Sequence, residues 1–136
     1  MMGVFSPSTS HAYGSVLTFG STYGIFYYGA VHKLGYYYNG DFPDTTVLTE
    51  GTQYVFTINI PSSLSVTFFI NGVIGRTATP FGGLEASFNT IGNDNSGEAF
   101  GGLISELRVW PSMLSTANQQ KAETYLGYKY GITITH

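Results

Sequence analysis

SVTFFINGVIGRTATP, residues 65–80, reads as two strands folded over a tight turn. Val66, Phe68 and Ile70 alternate with Thr67, Phe69 and Asn71, the two-residue period of a strand. Asn71-Gly72 follows at once. Asn and Gly tolerate positive φ at both central positions of a type I′ turn, so the pair predicts a hairpin onto Val73–Ala78. A second stretch, FNTIGNDNSGEAFGGLISELRVWPSMLS, residues 88–115, gives a Gly/Asn/Asp loop, a strand and the start of a helix. In that strand Leu103, Ser105, Leu107 and Val109 alternate with Ile104, Glu106, Arg108 and Trp110. Glu106 and Arg108 then share an outer face, where cross-strand neighbours are their expected partners.

Working outward, Gln53–Ile60 is a further strand. Tyr54, Phe56, Ile58 and Ile60 share the face expected to point inward; Val55, Thr57 and Asn59 share the other. Upstream, Ser15–Phe19, Tyr23–Ala30 and Lys33–Tyr38 read as short strands, with a turn at Gly20-Ser21. Asp41–Gly51 reads as a loop with Pro43-Asp44 turn chemistry. Pro80–Gly83 breaks the pattern and Ala86–Gly92 resumes it. Met1–Ser10 is weakly patterned. Pro7 argues against a central strand there, so these residues are expected to form an arm or an edge strand.

Downstream, Ser115 and Thr116 open a helix. Thr116-Ala117-Asn118-Gln119 fits a capping box, in which each side chain satisfies an unpaired amide of the other. Leu114, Ala117, Ala122, Tyr125, Leu126 and Lys129 recur at helical spacing, and Gly131 stands where a glycine ends a helix. Short strands with frequent turns and one terminal helix predict an all-β antiparallel sandwich over residues 1–136, carrying a C-terminal helix at 115–131.

The order of these pieces is similar to that of the laminin-G-like, concanavalin A-like lectin/glucanase superfamily, in its phage or bacterial versions. Phe69-Ile70-Asn71-Gly72 stand for the family's strand and Asn-Gly turn, and Ile91-Gly92 for its Ile-Gly pair. Phe100–Ser115 stand for its last strand and following Leu-Ser. KAETYLGYKYGI, residues 121–132, resembles the helical tail of such versions. The resemblance runs from Gln53 to Ile132 and implies a jelly-roll sandwich. One departure stands out: the family's common Asp in the penultimate strand is Ser105 here.

Composition narrows the function. With 136 residues the chain has room for one domain. Aromatics make up 16% and apolar residues 43%, enough for a packed core, but charged residues make up only 10%. A weakly charged Ser/Thr/Asn/Gly surface suits a protein packed against copies or partners. The net charge is −3 and the five cations form no run, which argues against nucleic-acid binding. There is no cysteine for disulfides, thiolate metal sites or thiol catalysis. MMGVFSPSTS lacks the basic and apolar regions of a signal peptide, and no apolar run is long enough for a membrane span.

The eight carboxylates include no pair two apart on a strand. A glycosidase needs two carboxyls flanking the scissile bond, and the Glu-x-Asp-x-x-Glu run of the family's glucanases is missing, so no enzyme activity is expected. His11, His32 and His136 are scattered and sit in no metal or triad motif. The candidate ligand platforms are Tyr36, Tyr37, Tyr38 and Trp110, aromatics able to stack on a sugar or face a protein; core filling is the plainer role for the tyrosines. Asp94, Asn95 and Glu98 form an oxygen-rich loop. Calcium takes such ligands, and some lectin-like relatives bind it at their loops, so calcium is the one candidate cofactor; a plain turn-rich loop is the alternative. The expected function is a non-catalytic virion structural protein, a phage capsid decoration or tail-fibre domain. It would bind neighbouring subunits of a virion or homo-oligomer, and surface glycan as well. The alternative is a carbohydrate-binding module of a larger extracellular chain.

Overall fold

The structure, a computed structural model, describes residues 1–8, 13–19, 23–37, 40–61, 65–78, 88–93 and 97–136. Its strands are β1 (Met2–Pro7), β2 (Tyr13–Phe19), β3 (Tyr23–Tyr28), β4 (Lys33–Tyr37), β5 (Asp41–Pro43), β6 (Tyr54–Asn59), β7 (Val66–Ile70), β8 (Val73–Ala78), β9 (Phe88–Ile91) and β10 (Gly102–Arg108), and its helix is α1 (Thr116–Tyr130). The first sheet has the order β10-β1-β6-β7-β8 and the second β5-β4-β3-β2-β9. Every ladder within them is antiparallel. Phe5, Phe56, Ile58 and Phe68 of the first sheet meet Leu17, Ile25, Tyr27 and Tyr36 of the second in one buried cluster. This is the predicted antiparallel sandwich.

The hairpin that anchors the prediction forms as expected. Asn71 and Gly72 have φ of 50° and 84°, and Ile70 pairs with Val73 across them. Asn71 does more than turn the chain: its Oδ1 accepts from Val55 N at 2.9 Å.

Met1–Ser10 corrects the expectation of an arm or edge. Residues 2–7 form β1, an interior strand between β10 and β6, buried along its whole length. Phe5 enters the core between the sheets, whereas Met2 and Val4 enter a second cluster with Val55 and Leu126. Pro7 is tolerated because it is the last residue of the strand.

That second cluster explains why β1 is buried on both faces. The outer face of the first sheet is covered by α1, making a third layer over the two sheets. Ser115 caps α1 by accepting from Asn118 N at 3.4 Å, and Gly131 ends it at φ 68°. The cap therefore lies one residue before the predicted box, and Gln119 is not part of it. The buried face also differs from the predicted one. It carries Gln119, Glu123, Leu126 and Gly127, while Tyr125 lies half exposed over the Arg108 guanidinium.

β3 and β10 stop short of their predicted ends. β3 ends at Tyr28 because residues 29–32 turn back through His32 at φ 52°. β4 is described as far as Tyr37, and Tyr38, the predicted end of that strand, lies outside the described residues. β10 ends at Arg108, which pairs with Met2 at the start of β1, so Val109 and Trp110 have no strand to pair with. The short β5 lies where a loop was expected, paired to β4. The expected turn at Gly20-Ser21, the break at Pro80–Gly83 and residues 86 and 87 of the resumed strand lie outside the described residues.

Candidate functional site

Leaving the sheet at Arg108, the chain runs through Val109-Trp110-Pro111-Ser112-Met113-Leu114 to the cap of α1. This segment, the end of β6 and the start of β1 enclose a cavity of about 560 Å³. Trp110 lines it and also packs on the cluster beneath α1. Met1, Ile58, Ile60, Val109, Met113 and Leu114 supply most of the remaining wall. Thr57, Asn59, Ser112 and Gln119 supply the polar groups, and among the described residues no charged side chain takes part. Val109 and Met113 are about half exposed at the rim. A site of this size with mostly apolar walls and a few fixed polar groups suits a neutral ligand or side chain. Methionine adapts its shape to what it meets.

The polar groups are held by one another. Asn59 Nδ2 donates to Gln119 Oε1 at 2.8 Å, and Gln119 Nε2 donates to Glu123 Oε1 at 3.0 Å. Thr57 Oγ1 donates to the same Glu123 oxygen at 2.6 Å. Glu123 is fully buried, so it anchors the wall without reaching the cavity. The Met1 amine donates to Ile58 O at 2.8 Å, and burial pushes its pKa down to about 6. With no carboxylate or histidine lining the cavity, its described wall can position a guest but offers no proton-transfer pair.

The predicted site residues are scattered rather than gathered. Among those that the structure describes, Trp110 alone lines the cavity. Tyr36, read as a surface platform, is 1% exposed and belongs to the core between the sheets, because it alternates with the outward Tyr37 along β4. Tyr37 is 38% exposed on the outer face of the second sheet, its ring edge-on to Phe26 at 6.0 Å. It lies on the far side of the sandwich from α1 and Trp110. Tyr38, Asp94 and Asn95 lie outside the described residues. Glu98 is half buried, and its backbone carbonyl accepts from Ser15 N at 3.0 Å. Among the described residues no three His, Asp or Glu are grouped to hold a metal, and no helix is long and apolar enough to cross a membrane.

The residues that sequence reasoning missed are Thr57, Asn59, Gln119 and Glu123. Their signal was a polar pair two apart on an apolar strand, matched by a polar pair four apart on a helix. Two histidines also have partners: His32 Nδ1 lies 3.3 Å from Glu50 Oε1, and His136 Nδ1 3.4 Å from Glu123 Oε2. His11 is outside the described residues. Glu106 and Arg108, expected to pair across strands, instead face α1. Glu106 accepts from Arg108 Nε at 2.6 Å, Lys129 Nζ at 2.8 Å and Tyr130 OH at 3.0 Å. The Lys129 ammonium foremost, with Arg108 and Tyr130, holds the Glu106 carboxyl down at about 2.

A family model described as the concanavalin A-like lectin/glucanases superfamily matches residues 3–118, and the chain belongs to that family. The match begins at β1, well upstream of the stretch that carries the resemblance, and stops within the first turn of α1. Comparisons with curated proteins and with solved structures return no match.

Proposed function

We propose that this member of the concanavalin A-like superfamily is a non-catalytic structural subunit of an assembly. The assembly is of virion type, with the chain serving as a capsid decoration or tail-fibre domain. The observation that supports this most is the neutral, apolar-walled cavity beside Trp110, rimmed by half-exposed Val109 and Met113. An apolar side chain of a neighbouring subunit fills such a space and releases water from both partners. Repetition over many copies turns a modest contact into firm attachment.

A second reading rests on the same residues. The Trp110 ring beside the Asn59 and Gln119 amides suits a sugar: the ring stacks on the apolar face of a pyranose and the amides meet its hydroxyls. The chain is then a carbohydrate-binding module of a larger extracellular protein.

Light scattering over a concentration series, with and without calcium, separates the two. The assembly reading expects a closed oligomer that Met113→Asp dissociates, because a charge in an apolar contact is costly to desolvate. A monomer at every concentration, retained by a polysaccharide array and released from it by Trp110→Ala, would replace it with the glycan reading. An oligomer indifferent to Met113→Asp would place the interface elsewhere and remove the cavity's role.

A further inference from the structure

Behind the cavity wall, β6 and α1 meet through four polar side chains. Thr57 and Asn59, two apart on β6, share one face of the strand. Gln119 and Glu123, four apart, share the facing side of α1. Thr57 is 3% exposed, Gln119 6% and Glu123 0%, so bulk water is kept from most of the set.

Their hydrogen bonds converge on two atoms. Glu123 Oε1 accepts from Thr57 Oγ1 at 2.6 Å and from Gln119 Nε2 at 3.0 Å. A hydroxyl and a primary amide therefore sit on either side of one carboxylate oxygen. The carbonyl oxygen of that amide, Gln119 Oε1, accepts from Asn59 Nδ2 at 2.8 Å. A nucleophile on its base, a carbonyl on a donor, and a leaving nitrogen on the same base are the parts of an acyl transfer.

We propose that Thr57 and Gln119 join in an ester crosslink that the protein forms on itself. Thr57 Oγ1 attacks Gln119 Cδ, and its proton passes to Glu123 Oε1. The charge that develops on Gln119 Oε1 faces the Asn59 amide. The adduct then collapses: the Cδ–Nε2 bond breaks, and the nitrogen takes the proton from Glu123 Oε1 and leaves as ammonia. One C–O bond forms, one C–N bond breaks, and Glu123 returns to its starting form, with no co-reactant. Thr57 and Gln119 line the cavity, which gives ammonia a way out. Its dilution in solvent draws the step forward. Two groups far apart in sequence react because the fold supplies their encounter. The bond acts once, within one chain, and holds whatever the cavity binds. It ties α1 to the first sheet and closes a loop in the unfolded chain, as a disulfide would in a protein that has cysteine.

Intact mass of the denatured full chain tests the crosslink. The wild type should weigh less than its sequence by one ammonia. A protease digest should hold the Thr57 and Gln119 peptides as one species, which alkaline hydroxylamine separates by cleaving the ester. Thr57→Val keeps the shape without the nucleophile, and Glu123→Gln removes the base; both should have the full mass of their sequences. Thr57→Ser restores a hydroxyl and should lose ammonia again. A wild type at its full sequence mass would overturn the crosslink. So would a loss of ammonia that persists in Thr57→Val, since it would belong to another amide, such as that of Asn71 before Gly72. A mass gain from Gln119 turned to an acid would overturn it too, because water rather than Thr57 would then hold the acyl group. The wild-type mass and digest decide the matter even where a variant fails to fold.

Discussion

At the scale of single residues, Asp44 shows how much one buried carboxylate can hold. It is 1% exposed and accepts from Arg76 N at 2.6 Å and Thr46 N at 3.2 Å. Arg76 lies on β8, the edge of the first sheet, and Asp44 follows β5, the edge of the second. The side chain thus closes one side of the sandwich and covers an edge amide that would otherwise be free to pair with another chain. Gly75 leaves the room, since any side chain there would collide with the Asp44 carboxylate. Asp44→Ala removes a charged acceptor from two amides and should cost about 2–3 kcal/mol. Asp44→Asn keeps one acceptor oxygen and should cost about half that. Urea unfolding checks both: the midpoint should fall with the slope unchanged, and an unmoved midpoint for the alanine variant would mean that water replaces the carboxylate. The sequence showed Asp44 as turn chemistry, which the Thr46 bond bears out. The bond to Arg76 spans two sheets, and no local pattern encodes such a contact. Tyr36 and Tyr37 teach the same lesson, because alternation says that they point oppositely but not which of them points inward.

At the scale of elements, α1 was legible in its ends and not in its face. Caps are local chemistry: Gly131 announces itself, and the Ser115-Thr116 pair marks the start to within one residue. The face depends on what the helix lands on. Here it lands on Thr57 and Asn59, so Gln119 and Glu123 turn inward as their partners, and Tyr125 is left outside. Glu106 fastens the other end of α1 to β10 through Lys129, Tyr130 and Arg108. Its folded pKa of about 2 lies below the ordinary 4.5. The carboxylate therefore adds stability that is fully present above its unfolded pKa and is lost as pH falls from about 4.5 towards about 2. The ammonium and guanidinium partners are partly exposed and screened by water and salt, so the clamp is worth about 1 kcal/mol rather than the full shift. Glu106→Gln should lower the melting temperature by a few degrees at neutral pH, leave it unchanged near pH 2, and lose most of its effect in about 1 M salt. An equal loss at pH 2 and pH 7 would show that Glu106 acts by shape alone.

At the scale of the whole molecule, the decisive contact joins the two ends of the chain. β1 inserts between β10 and β6, so the first sheet is continuous only when residues 2–7 are in place. The stretch from Gln53 onwards reveals the strands and their hairpin, but strand order depends on pairings between segments far apart in sequence. The run MGVFSP has too little alternation to advertise itself, because both of its faces are buried, one against the second sheet and one beneath α1. β1 supplies Met2, and the residue before it Met1, to the wall of the Trp110 cavity, so fold and site share this strand. Deleting residues 1–7 would strip β10 and β6 of their shared neighbour and expose Leu126 and Phe56, each now fully buried. That loss involves several large side chains, each worth about 2 kcal/mol of burial. It exceeds what a small domain can lose and still fold. The shortened chain should show no cooperative thermal transition by circular dichroism, and its Trp110 emission should lie at the position of the urea-unfolded protein. A cooperative melt in that variant would mean that β10 can pair directly with β6, and that the first sheet is assembled from four strands with β1 added last.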